Sequence, residues 1–218
     1  MKLVYFDGRG LAETSRLILA LVNEKYEDFR YPMKIIDWST HNIVKTEFDK
    51  DKNDGKLTMS LNRLPYLEDN GTIISQSKAI ERYLARKHKL MGSTEEEAAV
   101  IDSLCEYVRD FKDDYKRTKQ KHMSNNEKDK LKLWFTEYLV EKLALFENLL
   151  SNNLGYSVND SNSLTDVVLF SFITEFFDDK ESVAKATQNT PKLNEIINRM
   201  RKDENIQTWL NKRPDSQF

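Results

Sequence analysis

Only six glycines and four prolines occur in 218 residues, well under the roughly 12% that these two residues ordinarily make up. That scarcity excludes collagen-like and low-complexity chains and counts against a turn-rich β-sandwich. The single cysteine, Cys105, permits no internal disulfide and fits a reducing compartment. Three histidines, His41, His88 and His122, share no ligand spacing, so no metal site is expected. No apolar run approaches the roughly 18 residues of a membrane span, and the first seven residues lack the apolar stretch of a secretion signal. An excess of one charge is also missing. Lys and Arg number 34 against 36 Asp and Glu, a net −2, with no overall attraction to nucleic acid or an anionic membrane. The expectation is a cytoplasmic protein without nucleic-acid or membrane partners.

What is present is a solvated surface over a real core: 32% of residues are charged and 11% aromatic. The breakers are placed unevenly. Gly8, Gly10, Pro32, Gly55, Pro65, Gly71 and Gly92 punctuate the first 92 residues, whereas only Gly155, Pro191 and Pro214 follow. This reads as an α/β part and then an all-α part. Leu3–Phe6 and residues 26–31 are β-prone and flank a helical pattern through Leu11, Ile18, Leu21 and Val22, a βαβ unit whose strands should run parallel. Residues 39–62 read as a polar loop with its tip at 49–56. Residues 66–68 and 72–74 around Asn70-Gly71 are a hairpin signal, and a helix carrying Ala79, Ile80, Tyr83 and Leu84 follows.

Near Leu90-Met91-Gly92-Ser93 the pattern changes to long helices. Thr94 with Glu97 is a capping-box signature, ahead of a stripe of Ile101, Leu104, Cys105, Val108 and Phe111. A second long helix carries Leu131 to Leu149, and Ser163 or Thr165 starts another. Thr190-Pro191 opens a fourth, and Trp209 and Leu210 sit on a last short one. The basic stretch 116–132, broken by Glu127 and Asp129, reads as a solvated helix–loop–helix connection. Cys105 reads as a buried structural thiol. Gly8-Arg9-Gly10 follows a strand, but Glu13 stands where a dinucleotide fingerprint needs its third glycine.

The βαβ–ββα order is that of a thioredoxin-like domain. Thioredoxins place Cys-x-x-Cys where the first strand meets the first helix. This chain has no cysteine before Cys105, so any sulfur chemistry there needs a thiol brought by a ligand. The opening residues Lys2-Leu3-Val4-Tyr5-Phe6-Asp7-Gly8-Arg9-Gly10-Leu11-Ala12-Glu13 resemble those of a glutathione S-transferase, most of all the sigma class. Asp37-Trp38, Arg63-Leu64-Pro65-Tyr66-Leu67, Gln76-Ser77, Arg82-Tyr83-Leu84, Val108-Arg109-Asp110-Phe111, Trp209 and Arg213-Pro214 continue the resemblance in family order.

The resemblance implies a glutathione-binding domain at 1–90 and a helical domain at 91–218 that forms the second-substrate pocket and dimer contacts. Glutathione is then a co-substrate and no cofactor is needed. Tyr5 would donate a hydrogen bond to the glutathione sulfur. A free thiol titrates near 8.5 and is only a few per cent thiolate at neutral pH. A donor that binds the thiolate lowers that value, and two pH units correspond to about 2.7 kcal/mol. Pro65 would be a cis-proline turning the Leu64 backbone to the cysteinyl part of the ligand. Gln76 and Ser77 would receive the γ-glutamyl carboxylate at a helix N-terminus. Trp38, Lys45 and Arg63 would hold the glycyl end, Asn62 would be a further glutathione contact, and Asp110 would reach the ligand of a neighbouring subunit in a homodimer.

Some positions depart from the family pattern. Leu11 stands where prostaglandin synthases of the sigma class carry Arg, and Val168 where a capping Asp is usual, with Asp166 placed to form a shifted capping box with Ser163. Lys112, Tyr115, Lys116 and Arg117 make the expected second-substrate face unusually polar. The function expected is conjugation of glutathione to small hydrophobic electrophiles. A carrier or structural S-crystallin-like protein and a prostaglandin isomerase are the alternatives.

Overall fold

Leu3 and Val4 are both fully buried, so the first strand is covered on its two faces. The computed structural model describes residues 1–37, 42–125, 128–153 and 155–216. The chain divides into two compact units, Met1–Leu84 with Thr208–Phe218, and Ala85–Gln207. In the first, β1 (Lys2–Phe6) leads through a 3-10 turn into α1 (Glu13–Leu21) and β2 (Glu27–Tyr31). A hairpin of β3 (Lys34–Asp37) and β4 (Asn42–Val44) precedes α2 (Thr46–Asn53), β5 (Tyr66–Asp69), β6 (Thr72–Ser75) and α3 (Ser77–Lys87). The four-stranded sheet has the order β2-β1-β5-β6. As expected of a βαβ unit, β1 and β2 pair in parallel; β5 runs antiparallel to β1 and to β6. Asn70 and Gly71 turn β5 into β6 with φ of 49° and 78°, the doubly positive geometry of a type I′ hairpin.

Much of the loop expected over 39–62 is regular structure: β4, α2 and a 3-10 turn at Thr58–Ser60 lie within it. Local composition was misleading because one residue decides the matter. Phe48 is the single buried residue of α2, and it inserts among Val4, Tyr31 and Leu57. Charges then follow the helix dipole, with Glu47 and Asp49 in the first turn and Lys50 and Lys52 in the last. Behind α2, Asp51 accepts hydrogen bonds from Tyr31 (2.9 Å) and Lys56 (2.6 Å). The Lys56 contact is the main cause holding the Asp51 carboxyl below its usual range. Trp38 and His41 lie outside the described residues.

The second unit is helical: α4 (Glu95–Asn125), α5 (Lys128–Leu133), a π-helical turn at Trp134–Tyr138, α6 (Leu139–Glu147), α7 (Leu164–Thr174), α8 (Lys180–Ala186) and α9 (Pro191–Lys202). A final helix, α10 (Glu204–Lys212), passes from this unit into the closing segment of the first. The basic stretch expected as a connection belongs mostly to α4, which continues to Asn125. Thr94 and Glu97 act at the α4 start: the Glu97 N–H donates to Thr94, and the Glu97 carboxylate accepts from the Ser93 N–H. Cys105 is buried, its sulfur 3.8 Å from the Thr165 hydroxyl.

The anchor of α7 is the shifted capping box formed by Ser163 and Asp166. Asp166 has no solvent exposure and accepts from the Ser157 N–H (2.8 Å) and the Ser163 N–H (2.7 Å). Arg199 lies 3.4 Å from the same carboxylate and donates to the Gly155 carbonyl and Asn162. Tyr115 does not line a polar face. It is 6% exposed, packed edge-on against Phe135, Phe176 and Phe177, and burial raises its hydroxyl to about 12.

Candidate functional site

Three chain segments meet at one end of the sheet, and register alone places them there. Val4 pairs with Tyr66, and Tyr66 with Ser75. One step further on each strand therefore sets Tyr5, Pro65 and Gln76 side by side, at the end where a parallel β1–α1–β2 unit opens toward its helix N-terminus. All three are expected site residues.

Tyr5 is held by the turn that follows it. Its hydroxyl oxygen accepts the Leu11 backbone N–H at 3.2 Å. That bond occupies an acceptor site of the phenol and leaves its own proton for an external acceptor. Gly10 makes the approach possible. A Cβ at position 10 would stand 2.6 Å from the Tyr5 hydroxyl and 2.9 Å from the ring, and φ is +39° there, so a side chain is excluded twice over.

A cavity of about 300 Å³ opens beside this hydroxyl, lined by Tyr5, Phe6, Gly8, Gly10, Met33, Ile43 and Lys45. Tyr5 and Lys45 are thus brought to one cavity. Lys45 sits just before α2, its amine 4.7 Å from the centre of the Phe48 ring and 3.6 Å from Asp49. Met33 and Ile43 are lining residues that the sequence did not single out. They belong to the β3–β4 segment, whose strands are short and whose surroundings read as loop.

On the other side of Tyr5 the backbone departs from ordinary geometry. The Leu64–Pro65 bond is cis, as expected, and Leu61 and Asn62 adopt left-handed φ values of 52° and 57°. Asn62 carries a buried side-chain oxygen that makes no hydrogen bond. Gln76 has φ of 72°, a conformation that costs a non-glycine residue about 1–2 kcal/mol. Its carbonyl accepts the Ile80 N–H at 3.0 Å and so opens α3. Ser77 is then the first residue of that helix, where free N–H groups favour an anion. Arg63 is fixed through its backbone N–H to the Ser60 carbonyl. Asp110 is exposed on α4, in the other unit.

Beneath the Tyr5 turn lies a buried ionic group that sequence reasoning did not find. Glu13 drew attention only as a missing glycine, yet it is 2% exposed and Arg16 is 0% exposed. Eight of the nine α1 residues are buried, so the helix presents charge inward. The spacing Glu13–Arg16, two opposite charges three apart on one apolar helix, was the signal available.

Comparison with known proteins agrees with this arrangement. A family model described as the glutathione S-transferase N-terminal domain matches residues 1–86, and one described as the C-terminal domain matches residues 109–213. Glutathione S-transferase 4 of Caenorhabditis elegans is 30% identical, covering 99% of this chain and 97% of that protein. The class-mu 28 kDa glutathione S-transferase isozyme of Schistosoma japonicum is 32% identical over 83% of each chain. Among solved structures, a glutathione S-transferase of the hookworm Necator americanus, described as monomeric, aligns with a TM-score of 0.78 at 29% identity, covering 100% of this chain and 98% of that one.

Proposed function

The chain belongs to the glutathione S-transferase family, and on that footing we propose that it joins glutathione to small hydrophobic electrophiles, with Tyr5 activating the thiol. The observation that carries this reading is the Tyr5 hydroxyl, oriented by the Leu11 N–H beside a mainly apolar cavity. Bound there, a thiolate sulfur would accept the phenol proton's hydrogen bond, and the electrophile would lie against Met33 and Ile43. Leu64 before the cis bond offers its backbone to the cysteinyl part. Gln76 and Ser77 at the start of α3 suit the γ-glutamyl carboxylate. Lys45, Asn62 and Arg63 surround the remaining end, and the unpaired Asn62 oxygen favours an N–H of the ligand; Trp38 is assigned to the same end from sequence.

The sigma-class reading rests on the opening motif, and membership of that class and prostaglandin isomerisation stay proposals of narrower scope. Leu11, half exposed at the position where prostaglandin synthases carry Arg, speaks for conjugation over isomerisation. A cytoplasmic location is proposed from the single cysteine; among the described residues no helix is long and apolar enough to cross a membrane.

A homodimer, with Asp110 serving the partner's ligand, is supported by the apolar surface next to the cis bond. Met59 is 76% exposed and Leu61 79% exposed, a combination that solvent disfavours and a partner surface would cover. Light scattering at micromolar concentration should give twice the chain mass, and Leu61→Glu should halve it. A monomeric wild type removes the shared-site assignment of Asp110.

The function itself is tested by turnover of glutathione with a reactive aryl halide, alongside calorimetric titration with glutathione. Expected are saturable binding and a rate well above that of the uncatalysed reaction. Binding without turnover would make the protein a carrier and overturn the proposal.

A further inference from the structure

The Tyr5 turn is tied to residues about 200 positions away. Arg213 donates to Glu13 Oε1 at 2.6 Å, and Trp209 Nε1–H donates to the same oxygen at 2.9 Å. The other Glu13 oxygen faces Arg16 Nη1 at 3.6 Å. That same nitrogen donates to the Gly8 carbonyl at 2.6 Å, inside the turn that delivers Gly10 and the Leu11 N–H to the phenol. The Arg16 guanidinium carbon lies 6.0 Å from the centre of the Tyr5 ring. Asp28 fixes Arg16 from its far side through Nε at 3.1 Å.

We propose that Arg213 and Trp209 are positioning residues for thiol activation, acting through Glu13, Arg16 and the Gly8 carbonyl to set the Tyr5 hydroxyl; this rests on the role proposed for Tyr5. The physical reason is competition for one nitrogen. Glu13 is buried and must be matched by cations; Arg213 supplies the one that donates to it at 2.6 Å, and Arg16 stands off at 3.6 Å. Without Arg213 the Glu13 carboxylate closes on Arg16 Nη1, which then leaves the Gly8 carbonyl. The turn relaxes, and with it the N–H that orients the phenol. Reaction geometry is steep, so a displacement well under 1 Å is enough to lower the rate several-fold.

The test is a double-mutant cycle on the full-length protein, with glutathione and a reactive aryl halide. Arg213→Met should lower kcat about fivefold with KM for glutathione changed less than twofold, and Arg213→Lys should recover most of the loss. In the Tyr5→Phe background, Arg213→Met should cost less than twofold, since residues acting through one group are not additive. An equal loss in both backgrounds, or no loss in the single variant, overturns the proposal. If Arg213→Met folds poorly, Trp209→Phe removes one donor and keeps the ring; about a threefold loss is expected, again only when Tyr5 is present. A Tyr5→Phe single variant as active as wild type would instead overturn the role of Tyr5 itself, a separate failure visible in the same data set.

Discussion

Tyr5→Phe lowers the conjugation rate between about 5- and 50-fold at pH 6.5, with glutathione affinity changed by less than about threefold. The range follows from two opposing effects. A thiol titrating near 8.5 is about 1% ionised at pH 6.5, against about half for one shifted down by two units, so loss of the stabilising donor removes about 50-fold of the reactive species. The thiolate that remains is the more basic one and intrinsically more nucleophilic, which returns up to about tenfold. The phenyl ring of the variant keeps the contact with Gly10 and the edge-on contact with Phe6, 5.7 Å between centroids, so the turn should survive. The two proteins then differ most in pH dependence. Wild type should be nearly flat from pH 6.5 upward, whereas the variant should climb about tenfold per pH unit until free thiolate dominates near 8.5. Initial rates between pH 6 and 9 measure this. A variant with wild-type rate at pH 6.5, or with an unchanged profile, would remove Tyr5 from the chemistry.

Asp166→Ala should cost about 3 kcal/mol of stability at neutral pH without first touching the glutathione site. The carboxylate closes the capping box of α7 and meets two backbone N–H groups and Arg199. Deleting it strands these donors in the interior, and unpaired buried groups cost more than the bonds they lose. Burial is the largest influence on this carboxyl and raises it, while Arg199 and the bonds from Ser163 and Ser157 oppose the rise. The sign follows. The folded state holds the proton more tightly than the unfolded chain does, so this contribution is complete below the unfolded value of about 3.9. It is lost as pH rises through the elevated folded value. The wild-type advantage over the variant should therefore be larger in acid than at pH 7. Urea unfolding at both pH values measures the difference; a change below about 1 kcal/mol at neutral pH would mean that Arg199 and water satisfy the cap unaided.

These two residues show what was legible in advance. The roles of Tyr5 and Pro65 came from the resemblance of their motifs to a family pattern, since an aromatic in a first strand reads by itself as core; the parallel β1–β2 pairing followed from chain order. The Asn70-Gly71 hairpin needed only two residues. Asp166 was recognisable from its spacing to Ser163, although its burial was not. The region after Trp38 reads as loop because seven of the eight α2 residues are polar or charged. Its helix depends on Phe48 meeting Val4 and Tyr31, a contact that no local window contains. Tyr115 reads as part of a polar face because charged residues, Asp113, Asp114, Lys116 and Arg117, flank it in sequence, while a helix turns every third or fourth residue inward. The Glu13 cluster stayed hidden for the opposite reason: a charged residue in α1 suggests solvent, and two of its partners, Trp209 and Arg213, are about 200 residues distant.

That distance has a consequence for how the protein is made. Glu13 leaves the ribosome long before Trp209 and Arg213, which follow it by 196 and 200 residues. At about 5–20 residues per second, α1 waits roughly 10–40 s for the groups that match its inward-facing carboxylate. Until they arrive the inward-facing Glu13 carboxylate has only Arg16 beside it, and the unit that leads the chain lacks its closing segment, Thr208–Phe218.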